Sequence, residues 1–358
     1  MILFPSLLQN PTPKWDVIMN KQTFQFTTAT VDYYFNASIN QLKDIVDIKN
    51  TIIITDETIY QLYQSQISGY KVITVPPGEK HKNQSTIDRI INQLIELQAD
   101  RKSTLVGIGG GVITDMTGYV ASIYMRGINF GFIPSTLLAM VDASIGGKNG
   151  IDVGVYKNMV GIIRQPKFLL YDISLLKTLP DEEWSNGFAE IIKHACIKDP
   201  AMFENLKIND LVSYQNYPKL LSDIVERNAK LKTEVVQKDE FEKADRKLLN
   251  FGHTLGHALE NQYELFHGQA VAIGMGYASI ISEQLLGFNQ TEEIKTVIKN
   301  YGLPTKLEFD KERVLGVLKM DKKRERDTIN YILLEKIGCG VIKQIPLVEI
   351  ERIVNTFN

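Results

Sequence analysis

The sequence is poor in cysteine, histidine and net charge. Its 358 residues include two cysteines, Cys196 and Cys339, and five histidines, with a formal net charge of -2. Two cysteines cannot form a disulfide framework, so we expect a protein of the reducing cytoplasm. A nearly neutral chain has no global basic field, and we expect no nucleic-acid partner. No apolar run reaches the roughly eighteen residues of a membrane span, so no membrane association is expected.

Residues 1–18 have neither the pattern expected of a targeting signal nor that of a clear element of the fold. Residues 1–18 contain Pro5, Pro11 and Pro13, and they lack a basic start followed by an apolar run. That pattern is not typical of a signal peptide. We therefore expect residues 1–18 to be an extension outside the core, and the folded chain to begin near Met19.

The first half of the chain alternates short β-rich runs with helical patterns. Between the runs, the segment Ser85–Leu97 has apolar residues at spacings of three and four, which predicts an amphipathic helix. Strand–helix alternation predicts an α/β domain with a parallel, Rossmann-like sheet covered by helices. The predicted strands are Thr51–Thr55, Lys71–Val75, Thr104–Ile108, Asn129–Ile133 and Phe168–Tyr171.

From about Pro180 onward the pattern changes to one helix after another. A late β-hairpin signal, Thr328–Leu334 followed by Val341–Ile345, precedes a last helix. The sequence therefore predicts an α/β domain over residues 19–176 and a mostly helical domain over residues 177–358. The predicted helices are Asp181–Ile197, Pro218–Gln237, Lys247–Glu260, Ala270–Leu286 and Thr291–Asn300.

Three of the five histidines, His253, His257 and His267, lie within fifteen residues of one another. Even spacing would give about one histidine in every seventy residues. His253 and His257 are four residues apart, which places both on one face of a helix. Imidazole is a common zinc ligand, and catalytic zinc sites use three protein ligands and an open position. The cluster therefore predicts a metal site in preference to separate packed or surface histidines.

Charged residues in the helical half could complete such a site. Glu190 lies in a segment that is apolar on nearly every side, so its helix is predicted to be buried and Glu190 can complete a Glu/His/His set. An isolated pair such as Glu190 and Lys193 would otherwise be a solvated surface contact. Lys232 and Arg246 provide cations for a carboxylate or phosphate. Together with the glycine run Gly109–Gly111, these residues predict a metal-dependent, nucleotide-using enzyme that binds a polyanion.

A predicted strand runs into three consecutive glycines, Gly109, Gly110 and Gly111, and then into a helix. Glycines let the backbone approach a ligand closely, and N–H groups at a helix start can receive a pyrophosphate. The spacing differs from the G-x-G-x-x-G dinucleotide fingerprint. This segment alone is compatible both with a nucleotide-binding site and with a tight structural turn.

Ten short motifs follow one another along the chain between about residue 50 and residue 330. They are Pro77–Lys80, Gly109–Asp115, Tyr124–Gly127, Pro134–Leu138, Asp142–Lys148, Lys157–Gly161, Leu176–Pro180, Phe188–Lys193, Leu249–His257 and His267–Val271. Each motif is modest alone, whereas the ordered set is highly specific. Together they resemble the 3-dehydroquinate synthase family of the sugar phosphate cyclases.

The resemblance implies an NAD-binding α/β domain, a helical metal- and substrate-binding domain, and a homodimer. It implies that one divalent metal, zinc or alternatively cobalt, is bound by Glu190, His253 and His267. The implied NAD contacts are Asp56, Glu79, Lys80, Gly111, Val112, Asp115, Ser135, Thr136, Lys148, Lys157 and Thr178. The implied substrate contacts are Asp142, Lys148, Asn158, Lys232, Arg246 and one lysine of the pair Lys322 and Lys323. The implied catalytic residues are His257, Lys193, Asn250 and Arg126, the last reaching the neighbouring subunit's site.

The chain departs from the usual family pattern at four positions, Thr114, Ser135, Ala143 and Asn149. None of them replaces a charged or metal-binding group, so they bear on NAD contacts and not on the activity. The implied activity converts 3-deoxy-D-arabino-heptulosonate 7-phosphate into 3-dehydroquinate and phosphate in the shikimate pathway. It combines a transient oxidation by NAD, elimination of phosphate, re-reduction and an intramolecular aldol closure.

Two other activities are compatible with parts of this pattern. A sister cyclase would act on a substrate without a carboxylate, and Lys232 and Arg246 would then be unpaired cations, which argues against it. A metal-dependent polyol dehydrogenase would produce NADH in net amounts. The predicted phosphate-binding residues Lys148, Asn250 and His257 argue against that second alternative.

Overall fold

The computed structural model describes residues 19–154, 156–260, 262–320, 324–325 and 328–356. The strands are β1 (Asn20–Gln25), β2 (Thr30–Phe35), β3 (Thr51–Asp56), β4 (Lys71–Val75), β5 (Thr104–Gly109), β6 (Asn129–Pro134), β7 (Lys148–Val153), β8 (Tyr156–Ile163), β9 (Phe168–Leu170), β10 (Arg324–Glu325), β11 (Thr328–Lys336) and β12 (Cys339–Pro346). The helices are α1 (Glu57–Tyr63), α2 (Gln84–Glu96), α3 (Gly111–Ile123), α4 (Asp181–Lys198), α5 (Pro200–Ile208), α6 (Leu211–Asn216), α7 (Pro218–Lys238), α8 (His253–Glu260), α9 (His267–Leu286), α10 (Thr291–Asn300), α11 (Lys311–Met320) and α12 (Leu347–Asn355).

The first half forms a seven-stranded sheet in the order β1-β2-β9-β6-β5-β3-β4. All neighbouring strands are parallel except β1 and β2. The central strands β3 and β5 are buried along nearly their whole length, as expected for parallel strands covered on both faces. The five predicted strands are present, and the predicted class of a parallel α/β sheet followed by helices is confirmed.

The antiparallel pair β1–β2 was not predicted from the sequence. It adds an edge to the sheet and also contacts α7 of the helical half. The Tyr33 hydroxyl lies 2.9 Å from the Thr233 hydroxyl, and the Thr28 hydroxyl donates a hydrogen bond to Glu240 just after α7. Residues 20–35 are therefore joined to both parts of the molecule.

A second hairpin, β7–β8, lies outside the main sheet and packs against α3. Asn149 in β7 is buried, and its amide donates hydrogen bonds to the carbonyls of Gly147 and Arg164. A methyl group at Gly118 of α3 would lie 1.8 Å from Asn149 Oδ1, so this contact requires glycine. The departure from the family pattern at Asn149 is thus accommodated by packing.

In the helical half, α8 packs directly on α9. A methyl group at Gly274 of α9 would lie 1.8 Å from the carbonyl oxygen of Gly252, which precedes α8. Glycine at this position lets the two backbones approach closely. This close packing brings His253 and His257 of α8 beside His267, the first residue of α9.

The late hairpin β11–β12 and the last helix α12 confirm the prediction for the end of the chain. Among the described residues, no helix is both long and apolar enough to cross a bilayer.

Candidate active site

Glu190, His253 and His267 converge on one point between α4, α8 and α9. Glu190 Oε1 lies 3.2 Å from His267 Nε2 and 3.6 Å from His253 Nε2. One donor atom from each residue lies within 4.8 Å of the other two. Two imidazole nitrogens and a carboxylate oxygen are a ligand set that zinc or cobalt accepts, with room for an exogenous oxygen. The predicted metal ligands are therefore brought together.

The outer nitrogen of each histidine ligand also has a partner. His253 Nδ1 lies 3.1 Å from the carbonyl oxygen of Phe251, and His267 Nδ1 lies 3.4 Å from Glu260 Oε2. A carbonyl or carboxylate oxygen accepts only, so Nδ1 carries a proton in each ring, and Nε2 is the nitrogen that would bind a metal. Such partners orient metal-binding histidines in many proteins. This arrangement favours a metal at the Nε2 side.

The electrostatics of the cluster are set by burial and by Lys193. Burial alone would raise the pKa of the fully buried Glu190, but the ion pair with Lys193 holds that pKa below its usual range. Burial, and next the charge of Lys193, lower the pKa of His253 well below normal. Burial opposes protonation of His267, yet hydrogen bonds to Glu190 and Glu260 raise its pKa to about 10. A proton and a cation therefore compete for His267.

His257 lies beside the predicted ligands without being one of them. Its ring centre is 5.0 Å from that of His253 and 6.2 Å from that of His267. The two histidines of α8 lie on one helical face, as their spacing predicts. One ring nitrogen of His257 lies within 4.8 Å of ligand atoms of His267 and Glu260.

Asp142 forms a second cluster with two buried lysines beside the first. Lys232 Nζ lies 2.9 Å from Asp142 Oδ1 and donates a hydrogen bond to the Asp142 carbonyl at 2.6 Å. Lys193 Nζ lies 3.6 Å from the same carboxylate, and His194 Nε2 lies 3.3 Å from it. Burial lowers the pKa of Lys232 to about 8, although Asp142 opposes this. Because Lys193 pairs with both Asp142 and Glu190, it joins the two clusters.

The structure contradicts the argument that Lys232 and Arg246 require a substrate carboxylate. Lys232 already pairs with Asp142, and the buried Arg246 guanidinium donates hydrogen bonds to the carbonyls of Glu240 and Gly146. Both cations therefore have partners within the protein. The argument that these cations would be unpaired in a sister cyclase was therefore wrong, because a sequence does not show which backbone carbonyls surround a side chain.

Two predicted phosphate-binding residues meet at Glu242. Its carboxylate pairs with Lys148 and accepts a hydrogen bond from Asn250 at 2.8 Å. Glu242 has φ 57°, a conformation that is uncommon for a residue other than glycine. Lys148 and Asn250 thus lie together, with a carboxylate between them.

The glycine loop forms the turn from β5 into α3, at the carboxyl edge of the sheet. Gly110 precedes the first residue of α3, Gly111, so the helix begins within the glycine run. Ser135 at the end of the neighbouring β6 is buried, and its hydroxyl has no hydrogen-bond partner among the described residues. The N–H groups of a helix start and an unsatisfied hydroxyl fit a phosphate-bearing ligand.

Lys82 is a buried lysine that no motif in the sequence singles out. Its side chain is 5% exposed, and Nζ lies 2.6 Å from Asp115 and 2.7 Å from Asn158 Oδ1. Lys80, which was selected, is exposed. The two lysines lie in one short segment without periodicity, so the sequence does not show which of them is buried. Only their surroundings in the folded chain distinguish them.

Lys82 lies at the bottom of a cleft of about 470 Å³, called the hairpin cleft here. One wall comes from the β7–β8 hairpin and another from the end of α8, and the lining residues are Glu79, Lys80, Lys82, Asn83, Asp152, Gly154, Lys157 and Glu260. Burial raises the pKa of Glu79, and the charge of Lys82 opposes that shift. The predicted residues Glu79, Lys80 and Lys157 are thus brought together.

The remaining predicted residues have local structural roles or lie elsewhere. Asp56 caps α1 by accepting a hydrogen bond from the Ile59 N–H at 2.9 Å, and Thr178 lies 2.8 Å from the Tyr63 hydroxyl. Thr136 Oγ1 accepts a hydrogen bond from Ala139 N–H at 3.1 Å. Val112 follows Gly111 in the first turn of α3. The exposed Arg126 has φ 67° and belongs to neither cluster. Lys322 and Lys323 lie outside the described residues.

The fold joins a parallel sheet, which carries a glycine turn, to helices that carry a Glu/His/His cluster. This combination defines a class of enzymes with an α/β part, a helical part and a candidate metal centre. Residues 72–186 match the family model described as 3-dehydroquinate synthase N-terminal, and residues 187–324 match 3-dehydroquinate synthase C-terminal. The chain belongs to the 3-dehydroquinate synthase family.

Curated relatives agree with this assignment. The chain is 46% identical to the 3-dehydroquinate synthase of Campylobacter concisus over 76% of this chain and 79% of the relative. It is 41% identical to the 3-dehydroquinate synthase of a Nitratiruptor species over 87% of this chain and 91% of that relative.

Solved structures share the fold. A 2-deoxy-scyllo-inosose synthase complexed with carbaglucose-6-phosphate, NAD+ and Co2+ has a TM-score of 0.83 at 22% identity, covering 94% of this chain and 99% of that chain. The 2-epi-5-epi-valiolone synthase of Streptomyces hygroscopicus subsp. jinggangensis 5008, with NAD+ and Zn2+ bound, has a TM-score of 0.83 at 24% identity, covering 94% and 98%.

Proposed function

We propose that the protein is a 3-dehydroquinate synthase, which converts 3-deoxy-D-arabino-heptulosonate 7-phosphate into 3-dehydroquinate and phosphate. The observation that carries the proposal is the convergence of Glu190, His253 and His267 beside the buried Lys193. Family membership selects this activity among the sugar phosphate cyclases. The same assignment places the enzyme in the pathway to aromatic amino acids.

The cofactors are NAD and one divalent metal, zinc or cobalt. Glu190, His253 and His267 would hold the metal, and the glycine turn, Ser135 and the hairpin cleft would hold NAD. When bound, NAD supplies a reversible oxidation and the metal supplies Lewis acidity. In the described part of the chain the buried Ser135 hydroxyl has no hydrogen-bond partner, which supports the NAD assignment because a buried hydroxyl normally has one.

The protein's own residues bind and orient the substrate. We assign Lys193, Lys232 and Asp142 to the substrate's oxygens nearest the metal cluster, since their side chains already contact one another there. We assign Lys148, Asn250 and His257 to the phosphate. The donors of Lys148 and Asn250 are now paired with the Glu242 carboxylate. A bound phosphate would therefore replace this carboxylate as their partner.

Product analysis tests this function directly. Purified protein with zinc, the heptulosonate phosphate and NAD at a small fraction of the substrate concentration should release phosphate until the substrate is consumed. NMR should identify 3-dehydroquinate, and absorbance at the NADH band should not rise in proportion to product. The reason is that each hydride removed is returned in the same cycle.

Two controls separate the alternatives. One NADH per product would contradict the proposal and support a polyol dehydrogenase. Faster turnover of a heptulose phosphate that lacks the carboxylate would support a sister cyclase. The second control is needed because Lys232 and Arg246 have internal partners and do not themselves decide the question.

We also propose that two copies associate through the β7–β8 hairpin. Seven of the eight residues of β8 are exposed, although the strand includes Met159, Val160 and Ile162. An exposed apolar edge strand invites pairing with another strand, and two identical edges can pair around a two-fold axis. The turn that carries Arg126 lies against the base of this hairpin, since a methyl group at Gly127 would lie 3.5 Å from Arg164 Nη1. A second copy there would bring its own Arg126 close to this surface.

Val160→Lys should therefore convert the dimer into a monomer. The lysine would be buried where the two β8 strands pair, without an anionic partner for its charge. Sedimentation or light scattering at several protein concentrations would measure the mass. Val348→Lys is the matched control, since Val348 on α12 is 77% exposed and Val160 is 40% exposed. A wild-type monomer, or an unchanged Val160→Lys dimer, would exclude this interface.

A further inference from the structure

Glu260, the last residue of α8, contacts both the metal cluster and the β7–β8 hairpin. Its carboxylate is 5% exposed. Oε2 lies 3.4 Å from His267 Nδ1, and Oε1 pairs with Lys157 Nζ. Glu260 also lines the hairpin cleft together with Lys157. One carboxylate thus contacts a metal-binding histidine and a lysine of the cofactor cleft.

The two histidine ligands are oriented by different kinds of partner. His253 Nδ1 is held by the backbone carbonyl of Phe251, which has a fixed charge distribution. His267 Nδ1 is held by the Glu260 carboxylate, whose negative charge is shared with Lys157. A carboxylate on the outer nitrogen makes an imidazole a stronger ligand, and a cation on that carboxylate weakens the effect. The strength of His267 as a ligand therefore depends on where Lys157 binds.

We propose that Glu260 is a positioning residue that couples metal binding at His267 to occupancy of the hairpin cleft. An anionic ligand in the cleft attracts Lys157 away from Glu260, and the carboxylate then acts on His267 alone. Metal binding becomes tighter, and by linkage the metal tightens the ligand by the same factor. The coupling rests on the proposed function, because that function places NAD in the cleft.

The first measurement is the affinity for zinc without NAD, by competition with a colorimetric chelator. Glu260→Gln should weaken zinc binding by roughly 10–100-fold, the range for losing the partner of a metal-binding histidine. Glu264→Gln is the matched control, since Glu264 is exposed in the same connection between α8 and α9. Glu260→Asp should recover part of the affinity, because it keeps the charge. Zinc affinity equal to wild type in Glu260→Gln would overturn the positioning role.

The second measurement repeats the zinc competition with saturating NAD. Wild type should bind zinc at least about fivefold more tightly with NAD. The Lys157→Met variant should bind zinc tightly even without NAD, and NAD should not increase its zinc affinity. The reason is that no lysine at position 157 pairs with Glu260 in this variant. A gain from NAD that persists in Lys157→Met, or an effect absent from wild type, would overturn the coupling.

These measurements separate failure of the coupling from failure of the proposed function. Zinc affinity without NAD does not depend on which reaction the enzyme performs. Loss of affinity in Glu260→Gln together with absent 3-dehydroquinate formation by wild type would reject the function and keep the positioning role. Thermal unfolding of each variant checks that the fold is intact.

Discussion

His253→Ala will lose its metal on dialysis against a chelator, and its turnover will fall to background. His253 Nε2 is one of three donors in the cluster, and Glu190 and His267 alone would remain without it. Removing one of three ligands from an open catalytic site weakens the metal strongly. Elemental analysis after dialysis measures the bound metal, and phosphate release measures turnover.

His81→Ala is the control for the metal measurement, because His81 lies outside the cluster near the start of α2. It should keep the wild-type metal content. A His253→Ala protein that retains both metal and full turnover after thorough chelation would reject the Glu190, His253 and His267 site.

Lys82→Met will lose at least about tenfold in NAD affinity, whereas Lys80→Met will stay close to wild type. Lys82 is buried between Asp115 and Asn158, and removing one partner of a buried ion pair leaves the other charge uncompensated. Lys80 is exposed at the mouth of the same cleft, where a single charge contributes little. Fluorescence titration with NAD measures both affinities.

Lys82→Arg keeps a cation beside Asp115 and should retain more affinity than Lys82→Met. Thermal unfolding distinguishes a local loss of binding from a loss of the fold. Strong loss of NAD affinity in Lys80→Met, with Lys82→Met unaffected, would restore the assignment made from the sequence.

The predictable part of the fold is the part with regular periodicity. The strands β3 to β6 and β9 are short apolar or β-branched runs between polar or glycine signals, and the sequence locates each within about two residues. The hairpin β7–β8 was missed because three consecutive residues of β7, Asn149 to Ile151, are buried, whereas β8 is hardly buried at all. Such a strand lacks the alternation that identifies strands in a sequence.

The site residues likewise divide into features that sequence spacing predicts and features that depend on tertiary contacts. The spacing of His253 and His257 predicts a shared helical face, but it does not reveal which of them faces Glu190. The distinction depends on the packing of α4, α8 and α9, which brings residues more than sixty positions apart into contact. Lys82 and the internal partners of Arg246 were missed for the same reason, because burial and backbone carbonyls depend on tertiary structure.

The contacts between β1–β2 and α7 have a practical consequence for chimeras made from two relatives. A crossover near residue 176 would exchange the helical half but leave Thr28 and Tyr33 behind with the first parent. Their partners Glu240 and Thr233 would then come from the second parent. A functional chimera should therefore take residues 20–35 and residues 218–240 from the same parent, even though more than 180 residues separate them in the chain.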